Sequence, residues 1–457
     1  MRIGCPILRT VSSSVGWGRK STLRYTPALA EQSIANPREP RCLLSTLAFA
    51  AVVVAPAIVL GFLHDDPYTR IDSEWYTLIA QGRTAEAMQP FSARQLAPLL
   101  ARGLAALTHA SLPHCFLAIG LAAIFTLAWT VGWLLCRNSA RWPAMAAVAL
   151  LWFWLATFSN FMLPDTLSAA LLALFLFAMW KRNYLVAAVM LLPMFVARES
   201  TILVLLCLLI ACWRHLRTRL SMLALASSAL GMAIVHALST GVHGNREQLG
   251  PLAYMIGKVP WNFAANVVAM RPWMPSLTNF CPVPRYTFHL PMGLHVSGSS
   301  LVGLCGWDPA WQAHMLLLAL CSFGLLPLLT IYLLRYHRRQ MWKDDAFTRF
   351  CVVYGVLSFL IAPLLGHTIE RLFFYGWPVF LLVVPIAASH VFTRNSSRAL
   401  WIALFAIHFT TAWLDIPVCR YWDQRSWQTA WTLLAIVIVL NAIAWMLLRR
   451  VDRSAQA

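Results

Sequence analysis

The chain has 457 residues, 60% of them hydrophobic and only 12% charged, with a mean hydropathy of +0.65 and a formal net charge of +19. That composition lies outside the soluble range. Its apolar runs are long and uninterrupted rather than short and alternating, which excludes a β-barrel and sets the fold class as all-α, a polytopic membrane protein.

Residues 1–42 are basic and hold no apolar run of the kind a secretory signal needs, so they are expected to form a disordered cytoplasmic tail. The membrane domain is expected over 43–448, with a short tail at 449–457. It opens with LLSTLAFAAVVVAPAIVLGFL (43–63), long enough to cross a hydrocarbon core, which takes roughly 20 apolar residues as helix. Hydropathy predicts about twelve transmembrane helices, near 43–63, 112–136, 144–163, 166–180, 184–197, 201–213, 220–239, 311–334, 350–366, 372–389, 399–414 and 428–448. With both termini inside, the cytoplasmic segments hold 24 of the 36 Lys and Arg and 5 of the 17 acids. The inner face then carries the whole positive charge, and the basic balance reports membrane orientation rather than a nucleic-acid partner. The same rule divides 184–213 into two short helices turning at Arg198-Glu199-Ser200. One continuous helix would put WRHLRTR (213–219) outside.

Two long outer loops are expected, 64–111 and 240–310. The first begins HDDPYTRIDSEWY, with Asp65, Asp66, Asp72 and Glu74 inside eleven residues. In it Ile71, Trp75, Leu78 and Ile79 share one helical face, which predicts a helix lying on the membrane surface. SARQ at 92–95 reads as a capping box, Ser92 capping and Gln95 reaching back. It starts a second interfacial helix with Leu96, Leu99, Leu100, Leu104 and Leu107 as its apolar stripe. The second loop is rich in Pro and aromatic residues, with little periodicity beyond a short helix near 251–270; a loop of that length tends to be a lid or binding element.

The remaining outward charges sit in turns: Asp165 in LPDT, Arg198 and Glu199 in ARES, Glu370 and Arg371 in HTIERLFFYGWP. Ionisable groups near hydrocarbon need partners. Their gathering on one side points to a polar cavity opening outward. Each also has a purely structural reading. Asp65 and Asp66 suit a solvated helix end, and Asp72 and Asp165 suit helix N-caps. Arg198-Glu199 and Glu370-Arg371 can neutralise each other, and Arg94 can reach lipid phosphate. His64 and His367 face the same side, whereas His236 and His408 read as helix-packing residues. Neither CxxC nor HExxH is present to mark a metal site. Most cysteines lie in spans, where a thiol acts as a small apolar group, while Cys281 and Cys305 share the long outer loop and can pair in an oxidising compartment.

An acidic motif after the first span, two juxtamembrane helices and a long loop between spans seven and eight together resemble the GT-C superfamily of membrane glycosyltransferases. The wording D-x-x-x-Y (Asp72 to Tyr76), PFSARQLAPLLARGL, PDTLSAALLAL, ARESTILVLL and ERLFFYGWPV is similar to that of bacterial members. The resemblance implies transfer of a sugar from a polyprenyl-phosphate-linked donor to a glycolipid or polysaccharide acceptor of the cell envelope. It implies an active face on the outside of a bacterial inner membrane. An acid near the end of span one would act as base or, in some members, help hold a divalent metal such as Mg or Mn. Asp65 and Asp66 match that position and Asp72 matches the D-x-x-x-Y pattern, so all three are candidates. Arg198, Arg371 and Arg94 are expected to meet the leaving phosphate. Glu74, Asp165, Glu199, Glu370 and Tyr76 are expected to orient them or bind sugar hydroxyls. The rival readings are a secondary transporter, for which paired repeats and broken mid-membrane helices would be expected, and a lipid-carrier polymerase or flippase of another mechanism.

Overall fold

The computed structural model describes residues 38–64, 71–87, 91–159, 161–212, 218–239, 259–260, 262–272, 287–290, 294–297, 304–307, 309–342, 345–365, 369–392, 398–414 and 427–456. The chain divides into two units, Met1–Arg41 and Cys42–Ala457, and the second holds nearly all of the described residues.

Helices dominate this second unit because nearly every segment is apolar on all sides, and in lipid a helix is the structure that pairs its own backbone. In chain order they are α1 (Arg38–His64), α2 (Ile71–Ala80), α3 (Leu96–Thr108), α4 (Leu112–Arg137), α5 (Trp142–Ala149), α6 (Phe153–Phe158), α7 (Pro164–Trp180), α8 (Tyr184–Ala197), α9 (Thr201–Cys212) and α10 (Thr218–Leu238). After the long loop come α11 (Pro309–Cys321), α12 (Leu326–Tyr336), α13 (Arg338–Met341), α14 (Ala346–Leu365), α15 (Ile369–Phe373), α16 (Val384–Val391), α17 (Arg398–Trp413) and α18 (Trp427–Gln456). Helical segments thus lie at each predicted span, and α8 and α9 form the expected pair around a turn at 198–200. Among the described residues, five helices are long and apolar enough to cross a membrane, or six if the bent pair α11–α12 counts as one. The others are shorter. Large apolar side chains such as Val52, Met222, Leu230, Val439 and Met446 are exposed on the outer helices, as a lipid-facing surface requires. This is a helical membrane protein.

Two predicted spans are not continuous. Residues 144–163 break at Leu150–Trp152 into α5 and α6, and 311–334 bend by 63° between α11 and α12. Gly324 makes that bend, with φ +55, a conformation few other residues adopt. A broken helix leaves backbone groups without partners, and side chains supply them here. Trp154 Nε1 donates to Val148 O at 2.9 Å and Trp413 Nε1 to Leu150 O at 2.6 Å. His408 serves both breaks at once. Its Nδ1 accepts from the Leu325 N–H at 3.1 Å, which leaves Nε2 to donate to Ala147 O at 2.9 Å.

The first outer loop also departs from expectation. Helix α2 forms where predicted, but its most buried line is Ser73, Tyr76, Ile79 and Ala80 rather than the line through Trp75 and Leu78. Ser92 does not cap α3. Residues Phe91–Ala93 form a separate 3-10 turn, Gln95 occupies the N-cap, and its side chain donates to the Ser92 carbonyl at 2.5 Å. Most of the predicted stripe of α3 faces away from the protein: Leu99, Leu100 and Leu107 are exposed, Leu96 and Leu104 are half-buried, and Ala97, Pro98 and Ala101 pack inward. Small residues bring the helix close to the bundle and the leucines are left for lipid.

The second loop is not structureless. Strand β1 (Met270–Pro272) pairs antiparallel with the later strand Leu304–Trp307, and between them β2 (Thr287–Leu290) pairs with β3 (Leu294–Ser297). A π-helical turn at Phe263–Val267 anchors the loop. Asn262 and Asn266 donate at 2.8 Å to the carbonyls of Leu364 and Pro363, which end α14, and Trp311 Nε1 donates to Ala265 O at 2.8 Å. Cys281 and the side chain of Cys305 lie outside the described residues. A disulfide joins Cys42 on α1 to Cys136 at the end of α4, whereas Cys115, Cys207, Cys212 and Cys351 are buried and free.

Candidate functional site

Helix α2 carries Asp72 and Tyr76 four residues apart, so one face presents both. Arg94 follows the 3-10 turn, and its neighbour Gln95 ties this stretch to the end of α8 through its N–H to Val196 O at 3.0 Å. Asp165 sits in the first turn of α7, behind Pro164. That turn is anchored to α6 by Thr166 Oγ1 donating to Thr157 O at 2.7 Å. Arg198 and Glu199 fill the turn between α8 and α9, where Thr201 Oγ1 donates to Met194 O at 2.8 Å. Arg371 belongs to α15 and Tyr375 to the 3-10 turn Phe374–Gly376 that follows. Five separate stretches of chain therefore meet at one end of the bundle.

They meet through charge. Arg94 grips Glu199 with a fork, Nε to Oε2 at 3.0 Å and Nη2 to Oε1 at 2.5 Å, and gives Nη1 to the Tyr76 hydroxyl at 3.1 Å. Arg198 donates to Asp165 Oδ1, which also accepts from the Tyr375 hydroxyl at 2.8 Å. The Arg198 guanidinium lies over the Tyr375 ring, 4.9 Å from its centroid. Arg371 bridges two acids, with Nη2 3.5 Å from Asp72 Oδ2 and Nη1 3.6 Å from Asp165 Oδ2. Among the described residues three guanidiniums face three carboxylates, which is how a membrane protein makes clustered charge tolerable.

The pairs differ in access. The Arg198 and Asp165 side chains are 9% and 11% exposed, against 22% and 30% for Arg371 and Asp72. Glu199 is 46% exposed, so the cluster is closed at the Arg198–Asp165 pair and open on both the Arg371–Asp72 and the Glu199 sides. Beside it lies a cavity of about 30 Å³ lined by Asp165, Arg371, Tyr375, Trp377, Phe153 and Thr157 among others. That is room for one or two water-sized groups. Among the described residues, Asp165 Oδ2 and Trp377 Nε1 are buried there without a hydrogen-bond partner. One accepts and the other donates, so the cavity is fitted to a hydroxyl.

Electrostatics follow the geometry. Burial pushes the Glu199 carboxyl up, but Arg94 more than reverses this and holds it at about 2. Burial also works against the charge of Arg94, and Glu199 and Tyr76 overcome it, raising Arg94 well above its usual value. For Tyr76 burial wins and the phenol is raised, with Arg94 opposing. All three groups hold one protonation state at neutral pH.

Of the residues singled out from sequence, Asp72, Tyr76, Arg94, Asp165, Arg198, Glu199 and Arg371 come together. Glu74 is exposed and makes no ion pair among the described residues. Asp65, Asp66 and His367 lie outside the described residues, as do the side chains of His64 and Glu370. Tyr375 and Trp377 were missed. Their signal was position: Tyr375 stands four residues after Arg371, one helical turn on, in FFYGWP. A divalent metal does not fit what is described. No group of three or more His, Cys, Asp or Glu converges among the described residues. The space between Asp72 and Asp165 is taken by the Arg371 guanidinium.

Comparison with protein-family models, with curated proteins and with solved structures finds no match for this chain.

Proposed function

We propose that the chain is an inverting membrane glycosyltransferase that moves a sugar from a polyprenyl-phosphate carrier to a hydroxyl of a cell-envelope glycolipid or polysaccharide, on the outer face of a bacterial inner membrane. The observation that carries this reading is the Asp72–Arg371–Asp165 bridge, which lies at an open side of the cluster beside the cavity. A phosphate binding Arg371 competes with Asp72 for the same guanidinium, so donor arrival would release the Asp72 carboxylate. That carboxylate then takes the proton of the acceptor hydroxyl as its oxygen bonds to the anomeric carbon. The bond from that carbon to the phosphate oxygen breaks, and the phosphate leaves with the electron pair, its charge met by Arg371. Arg94 and Arg198 are committed to Glu199 and Asp165 and would hold the site in shape, adding positive potential from further off. Asp65 and Asp66 are the alternative bases.

The broken helices favour a secondary transporter as a second reading. Against it, both breaks are filled by His408, Trp154 and Trp413, and the charged cluster lies elsewhere, at helix ends. The test is sugar transfer in vesicles containing the full chain, supplied with a panel of polyprenyl-phosphate pentoses and hexoses. Asp72→Asn and Arg371→Gln should each lower turnover roughly 100-fold or more, with expression matched to wild type. Full activity in Asp72→Asn, Asp65→Asn and Asp66→Asn removes the acidic base, and no transfer by wild type from any donor counts against the enzyme.

A further inference from the structure

The opposite, basic end of the bundle carries a second arrangement that the transfer reaction does not use. Arg335 and Tyr336 close α12, and Arg449 lies near the end of α18. The two helices are locked together there. Tyr332 donates its hydroxyl to Leu448 O at 3.3 Å, and Trp445 packs edge-on against the Tyr332 ring at 5.8 Å. On this support two guanidiniums flank one tyrosine side chain. Arg449 Nη2 donates to the Tyr336 hydroxyl at 3.1 Å, and the Arg335 guanidinium lies over the same ring, its Cζ 5.7 Å from the centroid.

Two like charges brought to one neutral side chain repel, and neither arginine has a carboxylate partner among the described residues. The stretches 335–339 and 449–453 hold six arginines and one acid, Asp452. Asp345, the nearest described acid in sequence to α13, is turned to its own helix, where it caps the Thr348 N–H at 2.8 Å. Arg335, Tyr336 and Arg449 are all exposed. One turn back along each helix the surface is apolar and equally open: Ile331 is 59% exposed and Met446 57%. A paired cationic fork next to exposed aliphatic surface, at the end of two membrane helices, matches a ligand with an anionic head and hydrocarbon chains.

We propose that Arg335, Tyr336 and Arg449 form a binding site for the phosphodiester headgroup of an anionic membrane lipid, whose chains lie along Ile331 and Met446. The planar forks supply paired donors to the phosphate oxygens, the phenol holds them in register, and the bound anion relieves their repulsion. The site is independent of the transfer reaction.

The experiment uses delipidated full-length protein in a neutral detergent, with the apparent Tm read as phosphatidylglycerol, phosphatidylcholine or inorganic phosphate is added. Phosphatidylglycerol should stabilise at concentrations roughly tenfold or more below those phosphatidylcholine needs. Arg335→Gln with Arg449→Gln should abolish that preference. Arg338→Gln with Arg339→Gln removes the same charge from the neighbouring turn and should leave it within about twofold. Tyr336→Phe, which keeps both charges and the ring, should weaken it by a few-fold and covers the case in which the double variant does not fold. Equal stabilisation by both lipids overturns the site. So does equal loss in the two double variants, which would mean diffuse charge, and full stabilisation by phosphate alone would assign a free anion instead of a lipid.

Discussion

Each arginine in the cluster is held differently, and the difference assigns their work. Arg94 commits its fork to Glu199 and its remaining nitrogen to Tyr76, so it joins the first outer loop to the α8–α9 turn. Because Arg94 holds the Glu199 carboxyl at about 2 against an ordinary 4.5, the unfolded chain binds more protons than the folded one between those values. The pair's contribution is therefore complete above about pH 4.5 and is lost as pH falls toward 2. Glu199 is 46% exposed, and solvent screening keeps the effect small. The Tm difference between wild type and Glu199→Gln should be on the order of 1–3 °C at pH 7. It should stay constant down to about pH 5 and shrink below that, read by thermal unfolding in detergent. A difference unchanged at pH 3 would mean the carboxylate is not coupled to Arg94. At this scale the sequence was informative where charge is scarce, since an Arg or Asp beside hydrocarbon needs a partner and the partners were few. It was uninformative about Ser92, whose capping pattern is local, while the fold anchors the next residue but two, Gln95, to α8 instead. Tyr375 gave no charge signal at all.

Helix breaks are the element that hydropathy does not see. AMAAVALLWFWLATF (144–158) reads as one apolar run because every residue around Leu150 is as greasy as its neighbours, and only the φ of +55 at Gly324 explains the second break. What makes the breaks tolerable is a side chain arriving from another helix. His408 bonds to Leu325 N and Ala147 O, and it borders an apolar cavity of about 60 Å³ with Leu326, Pro385 and Trp401. His408→Ala removes both bonds and enlarges that cavity, leaving two backbone groups unpaired in a dry interior. The expected cost is about 3–5 kcal/mol, seen as a drop in Tm. A variant near wild-type stability would show that water reaches the breaks. The exposed leucines of α3 carry a related lesson. The periodicity correctly marked an apolar stripe, but period alone does not say whether protein or lipid covers it.

Lengths and charge together decide how the whole molecule sits. Helices α8 and α9, with 14 and 12 residues, are about 21 and 18 Å long, well short of a hydrocarbon core of about 30 Å. Both run from the basic end, where Cys212 meets Ala346 at the start of α14, to the turn that holds Arg198 and Glu199. If the basic ends lie at the cytoplasmic surface, that turn stops roughly 10 Å below the opposite one. The cluster then occupies a recess floored by short helices and rimmed by α2 and α3. Such a recess lets a lipid-borne group reach Arg371 from the bilayer while a polar partner enters from water. The arrangement depends on orientation, which positive charge predicts and labelling can test. Glu86 and Arg338 are exposed at opposite ends of the fold. Glu86→Cys should react with a membrane-impermeant maleimide in right-side-out vesicles, and Arg338→Cys only in inverted ones, with the wild-type chain as the background for native thiols. Reaction of both from one side would dismantle the two-ended topology, and with it the recess.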